Sequence, residues 1–283
     1  MRLGHGVAKI GASALRRWFA CVRRHVLPFL GMALLFITPA MAHATDQYTL
    51  LQGREFADLG PYLSQAIDAA VRVASRRVND DIDAALSSER PDAALALQSS
   101  DYLASMVWAE LFRTFPTNEL LDAELQSTRV SEQFPGLVTL HASRPSVYDS
   151  PVLVLDLSKA VRTLLRAGTV SVSGTLIGTD KIIHFINVGR IYHVRYLDAV
   201  ERGLSEPDAA LDAVQSTARN PLLSEDGLLG LYTTGIRSNG DLAADYAGLK
   251  FYRNLTEPVR IGNTLRPPML QRDGPYWRVA VAD

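Results

Sequence analysis

Apolar residues recur every three or four positions between residues 55 and 88: Phe56, Leu59, Leu63, Ile67, Val71, Ala74, Val78, Ile82 and Ala85. The positions between them are largely Asp, Arg, Gln and Asn. This spacing predicts a long amphipathic helix buried on one side, with Pro61 marking a break near its start. A second helix is predicted from a Ser99 or Ser100 cap through Leu103, Met106, Val107 and Leu111 to a stop at Pro116, and a short third one from Thr117 to Leu125. Residues 128–151 read as mainly irregular, punctuated by Pro135, Gly136, Pro145 and Pro151, with His141 as a surface loop residue. Residues 152–167 fit either a strand over Val152 to Leu157 or a helix capped by Ser158 and running to Arg166. Val170 to Ile177 alternates around Ser173-Gly174, which predicts a small hairpin.

The helical period returns after Gly178. One helix is predicted from a Thr179 cap to about Arg202, and another from the capping-box sequence Ser205-Glu206-Pro207-Asp208, ending before Pro221. Ser224 can cap a short helix through Thr234, and Ser238-Asn239-Gly240-Asp241 opens the last one, through about Leu255. The tail from Thr256 holds four prolines and is predicted to wrap the surface. The fold class this implies is mainly α: an irregular helical bundle with a small β-hairpin near 170–177. It forms a single domain over 45–283, with N-terminal helices over 45–150, a core over 151–255 and a tail over 256–283.

The first 44 residues have a different pattern. Arg16, Arg17, Arg23 and Arg24 form a basic zone with no acid before Asp46, an apolar zone runs from Val26 to Ile37, and Pro39-Ala40-Met41-Ala42-His43-Ala44 sets small residues at alternate positions. That order is a secretory signal peptide, cleaved after Ala44 or Ala42. The apolar zone of 12 residues is short of the roughly 20 that a spanning helix needs. The expected location is the periplasm or the exterior, by the general or the twin-arginine route, and the processed chain is not expected to be an integral membrane protein.

Processing changes the charge. Residues 1–44 carry six of the 29 Lys+Arg and none of the 30 Asp+Glu, so 23 basic residues remain against 30 acidic ones, a net charge of −7. A domain of that sign has no electrostatic footprint for nucleic acid. The one cysteine, Cys21, leaves with the signal, which excludes a disulfide, a thiolate nucleophile or a Cys-ligated metal in the remainder. G-x-S-x-G, H-E-x-x-H, Walker and G-x-G-x-x-G motifs are absent from the sequence. Glu110, beside Trp108 and Phe112, and Glu225 are acids of the kind a glycosidase uses, but nothing in the sequence singles them out.

Candidate chemistry gathers on two helices. On the helix from 179, Ile182, Phe185, Ile186, Gly189, Tyr192, Tyr196 and Val200 share one side, while Asp180, His184, Asn187, Ile191, Arg195 and Asp198 share the other. His193 lies nine positions beyond His184, which turns it to the opposite side and into the apolar face, where a buried, hydrogen-bonded role is expected. Asp180 and His184 are at i and i+4, so the carboxylate can orient the imidazole. On the last helix Asp241, Asp245, Gly248 and Tyr252 share a face, and Gly248 leaves room for a close approach by another helix or a ligand. If the two polar faces meet across a cleft, with Tyr252 or Asn187 at its edge, then Asp180, His184, Asp241 and Asp245 could bind a divalent metal or act as an acid/base group.

Gly178-Thr179-Asp180-Lys181-Ile182-Ile183-His184-Phe185, followed by Gly189, Tyr192 and the later block Gly240-Asp241-Leu242-Ala243-Ala244-Asp245-Tyr246-Ala247-Gly248, resembles a paired motif of uncharacterised exported bacterial proteins. The shorter Asp-Lys-x-x-His-Phe core is also similar to one in VanZ-like membrane proteins and in some small bacterial lipoproteins. The paired blocks cover roughly residues 170–255 and imply no activity. Two functions stay open on the sequence. One is a non-catalytic envelope module that binds a protein or glycan, with the polar residues as a network joining two helices. The other is a periplasmic metal-dependent or acid/base hydrolase.

Overall fold

The computed structural model describes residues 50, 56–134, 168–227 and 237–280. The segment read as a signal, the irregular stretch beyond residue 134 with His141, and the ambiguous 152–167 segment lie outside the described residues. So does most of the short helix expected from Ser224. Residues 221–227, which precede and begin it, form turns.

The described residues are mainly α. Helix α1 (Gly60–Ser87) starts four residues later than the apolar period suggests, because Pro61 can occupy only a first-turn position. It buries Val71, Ala74, Val78 and Ile82 as one stripe. Two short helices, α2 (Pro91–Leu97) and α5 (Thr128–Gln133), flank α3 (Ser100–Thr114) and α4 (Asn118–Leu125). The α5 helix corrects the irregular reading of 128–151: Ser127 caps it through the Val130 N–H, yet it is too short for a period to emerge. The hairpin appears as β1 (Thr169–Val172) and β2 (Thr175–Gly178), antiparallel, joined by Ser173-Gly174 with both residues at positive φ, the primed turn that matches strand twist. The Ser171 carbonyl accepts the Leu59 N–H and the Asp58 carboxylate accepts the Ser173 N–H, which fixes this hairpin to the start of α1.

The central element is α6 (Thr179–Glu201). It packs most extensively on α8 (Asn239–Asn254), and also on α7 (Glu206–Ala218) and α3. Packing on several sides overturns the two-sided reading of this helix: Asp180, His184 and Asn187 are as buried as Ile182 and Ile186, whereas Val200, assigned to the core side, is 39 % exposed. One core joins α1, α3, α4, the start of α6 and the chain end; a smaller one, with Tyr192, Tyr196, Ala199, Ala209, Ala213 and Leu249, lies among α6, α7 and α8.

The tail is also corrected. Instead of wrapping loosely, it forms two antiparallel hairpins, β3 (Val259–Ile261) with β4 (Thr264–Arg266) and β5 (Leu270–Asp273) with β6 (Tyr276–Val279). The prolines sit outside the strands or in the turn, so they do not interrupt either ladder. Leu270 and Trp277 enter the larger core, and Asn79 on α1 donates to the Trp277 carbonyl and accepts its N–H, each at 2.9 Å.

Candidate functional site

The site is made where α6 and α8 begin. Contacts advance along both helices together, from His184–Asp245 through Gly189–Gly248 to Tyr196–Arg253, so the helices run in the same direction. Parallel alignment brings two N-termini, each with a partial positive charge, to one end of the pair. Asp180 occupies the first turn of α6 and Asp241 that of α8, where Ser238 caps the helix by accepting the Asp241 N–H at 3.2 Å.

Glycine permits the approach. A Cβ at Gly248 would lie 2.1 Å from the Phe185 carbonyl oxygen, and one at Gly189 would lie 2.5 Å from the Gly248 Cα. Backbone therefore packs on backbone one turn beyond the polar residues, and another helix fills the room that Gly248 leaves.

The two polar faces do meet. His184 Nδ1 is 2.9 Å from Asp245 Oδ1, and its Nε2 is 3.7 Å from Asp241 Oδ2. Lys181 Nζ lies 2.7 Å from Asp180 Oδ2 and also pairs with Asp241 Oδ1. Its stem passes over Gly240, where a Cβ would come 2.9 Å from Lys181 Cε. From the turn before α8, Glu225 accepts the Ser238 N–H at 3.1 Å, and its carboxylate lies with the His184 imidazole and the Asp241 carboxylate in a group whose ligand atoms are within 4.8 Å of one another. Asp180, His184, Glu225, Asp241 and Asp245 are at most 4 % exposed, so the faces close directly on each other and no cleft separates them.

Burial and crowding govern the electrostatics. Loss of solvent and the neighbouring Asp241 raise Asp180 to about 6 in spite of Lys181, and Asp245 rises to about 6 against the pull of His184. Burial and Asp241 push Glu225 up to about 8. Burial opposes the charged form of His184, but Asp241, Asp245 and Glu225 together outweigh it and raise the imidazole to about 10. Burial opposes the charge on Lys181 too, but Asp180 and Asp241 hold it charged. The region is thus a sink for positive charge, with four carboxylates around one ammonium and one imidazole.

Lys181 and Glu225 were not assigned to this group from sequence. Lys181 is adjacent to Asp180, so a helical wheel puts it on a different face; its four-carbon stem covers the difference. Glu225 arrives from a turn with no period to read. Conversely, Tyr252 and Asn187 are not at the edge of the group. Tyr252 donates to the Ile186 carbonyl at 2.8 Å, and Asn187 accepts the Trp108 indole N–H at 3.0 Å. His193 is a buried core histidine, 3.2 Å from Arg190 Nη1, and Arg190 in turn reaches Asp101 and Ser105 on α3. Glu110 lines an open cavity with Tyr62, Gln65 and Arg129, but Arg77 and Arg113 both pair with it, so it is not an acid in an apolar cleft.

No family model matches the chain, and no curated protein or solved structure matches it. Among the described residues no helix is long and apolar enough to cross a membrane.

Proposed function

We propose that this chain is exported and serves as a non-catalytic module of the cell envelope, binding a protein or glycan, with the Asp180–Lys181–His184–Glu225–Asp241–Asp245 cluster as the internal joint that sets its shape. The observation that carries this reading is burial. A general acid or base has to come within hydrogen-bond reach of a substrate atom, and His184 is 3 % exposed with its Nδ1 committed to Asp245. Groups held this way act on each other. The signal-like N-terminus and the acidic remainder support an envelope address.

Removal of one partner from a buried pair costs about 3–5 kcal/mol. His184→Ala is therefore expected to lower the thermal midpoint by roughly 6–20 °C in the protein recovered from the periplasmic fraction of its host. A variant that keeps its midpoint overturns the joint, and recovery of the protein only from cytoplasm, with its first 44 residues intact, overturns the address.

A further inference from the structure

The position of His184 Nε2 calls for a cation. Asp245 accepts a hydrogen bond from Nδ1, so Nε2 is the ring nitrogen that faces Asp241, and a metal ion bound there would take the place of its proton. A proton on Nε2 would have its nearest carboxylate oxygen at 3.7 Å, beyond hydrogen-bond range. A metal ion spans such a gap with two bonds: at about 2.0–2.1 Å each, tetrahedral coordination sets ligand atoms roughly 3.4 Å apart. The His184–Asp241 separation is within a few tenths of an ångström of that figure. Glu225, whose ligand atom lies within 4.8 Å of the other two, reaches it by a small side-chain movement.

The surroundings fit as well. A carboxylate behind the far nitrogen of a ligating histidine fixes the tautomer and strengthens the donor, and Asp245 stands in that place. Lys181 holds Asp241 Oδ1 and so turns Oδ2 toward Nε2. The Ser238 N–H holds Glu225 Oε2. His184 and Asp241 are thus each anchored through an atom other than the one that would bind, and Glu225 is held in place by a backbone N–H.

We propose that His184 Nε2, Glu225 and Asp241 bind one first-row divalent metal ion, with Asp245 as the positioning residue for the imidazole. One nitrogen and two carboxylates, with no sulfur, suit zinc, manganese or nickel better than copper(I) or calcium. This inference rests on the reading of the cluster as an internal joint and adds the ion on which the joint closes. It ties the 221–227 turn to the starts of both α6 and α8.

The test uses the protein purified without a polyhistidine tag, stripped with EDTA, and titrated separately with ZnCl2, MnCl2 and NiCl2. Calorimetry is expected to give one ion per chain for at least one metal, and saturation at about a hundred times the dissociation constant to raise the thermal midpoint by roughly 5–10 °C. Glu225→Gln, an isostere that can still accept the Ser238 N–H, is expected to weaken binding at least tenfold, and Asp245→Asn about 10–100-fold. Absence of stoichiometric binding by all three metals, or undiminished binding in Glu225→Gln, overturns the metal centre. The joint fails separately: it is refuted by a His184→Ala variant as stable as the parent in the stripped protein.

Discussion

Gly248→Ala tests whether backbone contact between α6 and α8 sets the geometry of the buried cluster. Local preference predicts a gain, since alanine is favoured over glycine inside a helix by about 1 kcal/mol. Space predicts a loss. The new Cβ would lie 2.1 Å from the Phe185 carbonyl oxygen and 2.7 Å from the Gly189 Cα, both of them main-chain positions that no rotamer change can clear. Restoring normal contact separates the helices by roughly 1 Å, and overpacking of this kind costs about 1–3 kcal/mol. The separation does not stay local. Phe185 follows His184 directly, and Gly248 is less than one turn beyond Asp245, so the 2.9 Å bond between the two is stretched toward the limit of hydrogen bonding. A broken buried pair costs about 3–5 kcal/mol. With the helix gain deducted, the variant is expected to lose about 3–7 kcal/mol, a fall in thermal midpoint on the order of 10–20 °C. Urea unfolding followed by far-UV circular dichroism reads this directly. A Gly248→Ala protein as stable as the parent, or more stable, would refute the claim that this contact sets the cluster.

Two further outcomes follow from other parts of the fold. Asn79→Ala removes both hydrogen bonds to the Trp277 backbone and leaves that N–H and carbonyl without their partners, so a loss of about 2–4 kcal/mol is expected, with faster proteolysis of the chain end; unchanged stability and protease resistance would show that the last hairpin docks by other means. His193 is held well below its ordinary value by burial, by Arg190 on its own helix and by Arg253 on α8, in a setting completed by the Tyr196 and Tyr252 rings and by Asp101 on α3. Its contribution to stability is complete above the unfolded value near 6.5 and is lost as pH falls toward the depressed folded value, because the unfolded chain takes up the proton first, at up to about 1.4 kcal/mol per pH unit. The gap in stability between the parent and His193→Gln is therefore expected to shift by about 1 kcal/mol between pH 7.5 and 5.5, in favour of the variant at the lower pH; parallel pH profiles would sink this account.

Much of the fold can be read from periodicity and caps. Ser99, Thr117, Ser205 and Ser238 each cap the helix expected of them, and Ser173-Gly174 makes the expected turn. Elements with fewer than two turns escaped, as α5 did, because a period needs several repeats before it can be seen. The tail reads as loose because its prolines dominate its composition. The signal for a hairpin there is the Asp273-Gly274-Pro275-Tyr276 turn, across which Leu270 pairs with Val279 and Trp277 lies on the same face. At the site, Asp180, His184, Asp241 and Asp245 could be found because i, i+4 spacing marks a shared face. What helical spacing could not indicate was burial. A polar face looks the same on a wheel whether it meets water or a second polar face, and only the second case brings in Lys181 and Glu225 as charge partners.

That second case bears on why the joint is ionic at all. Buried ion pairs are often no better for stability than apolar residues of equal volume, so a joint selected for strength alone could have been made of Leu and Ile. The helices here meet through Gly189 and Gly248, a contact without side chains to interlock. Such a contact permits sliding and rotation, and an apolar cluster at its end would tolerate several alignments. His184 with Asp245 and Lys181 with Asp241 are separated by about one helical turn and pair in one register only. A slip by one residue on either helix would leave buried charges unpaired, at several kcal/mol each. The glycines make close approach possible and the ion pairs make it unique. The four carboxyl groups then exceed what register requires, and the additional Glu225 beside His184 and Asp241 is the feature the metal proposal explains.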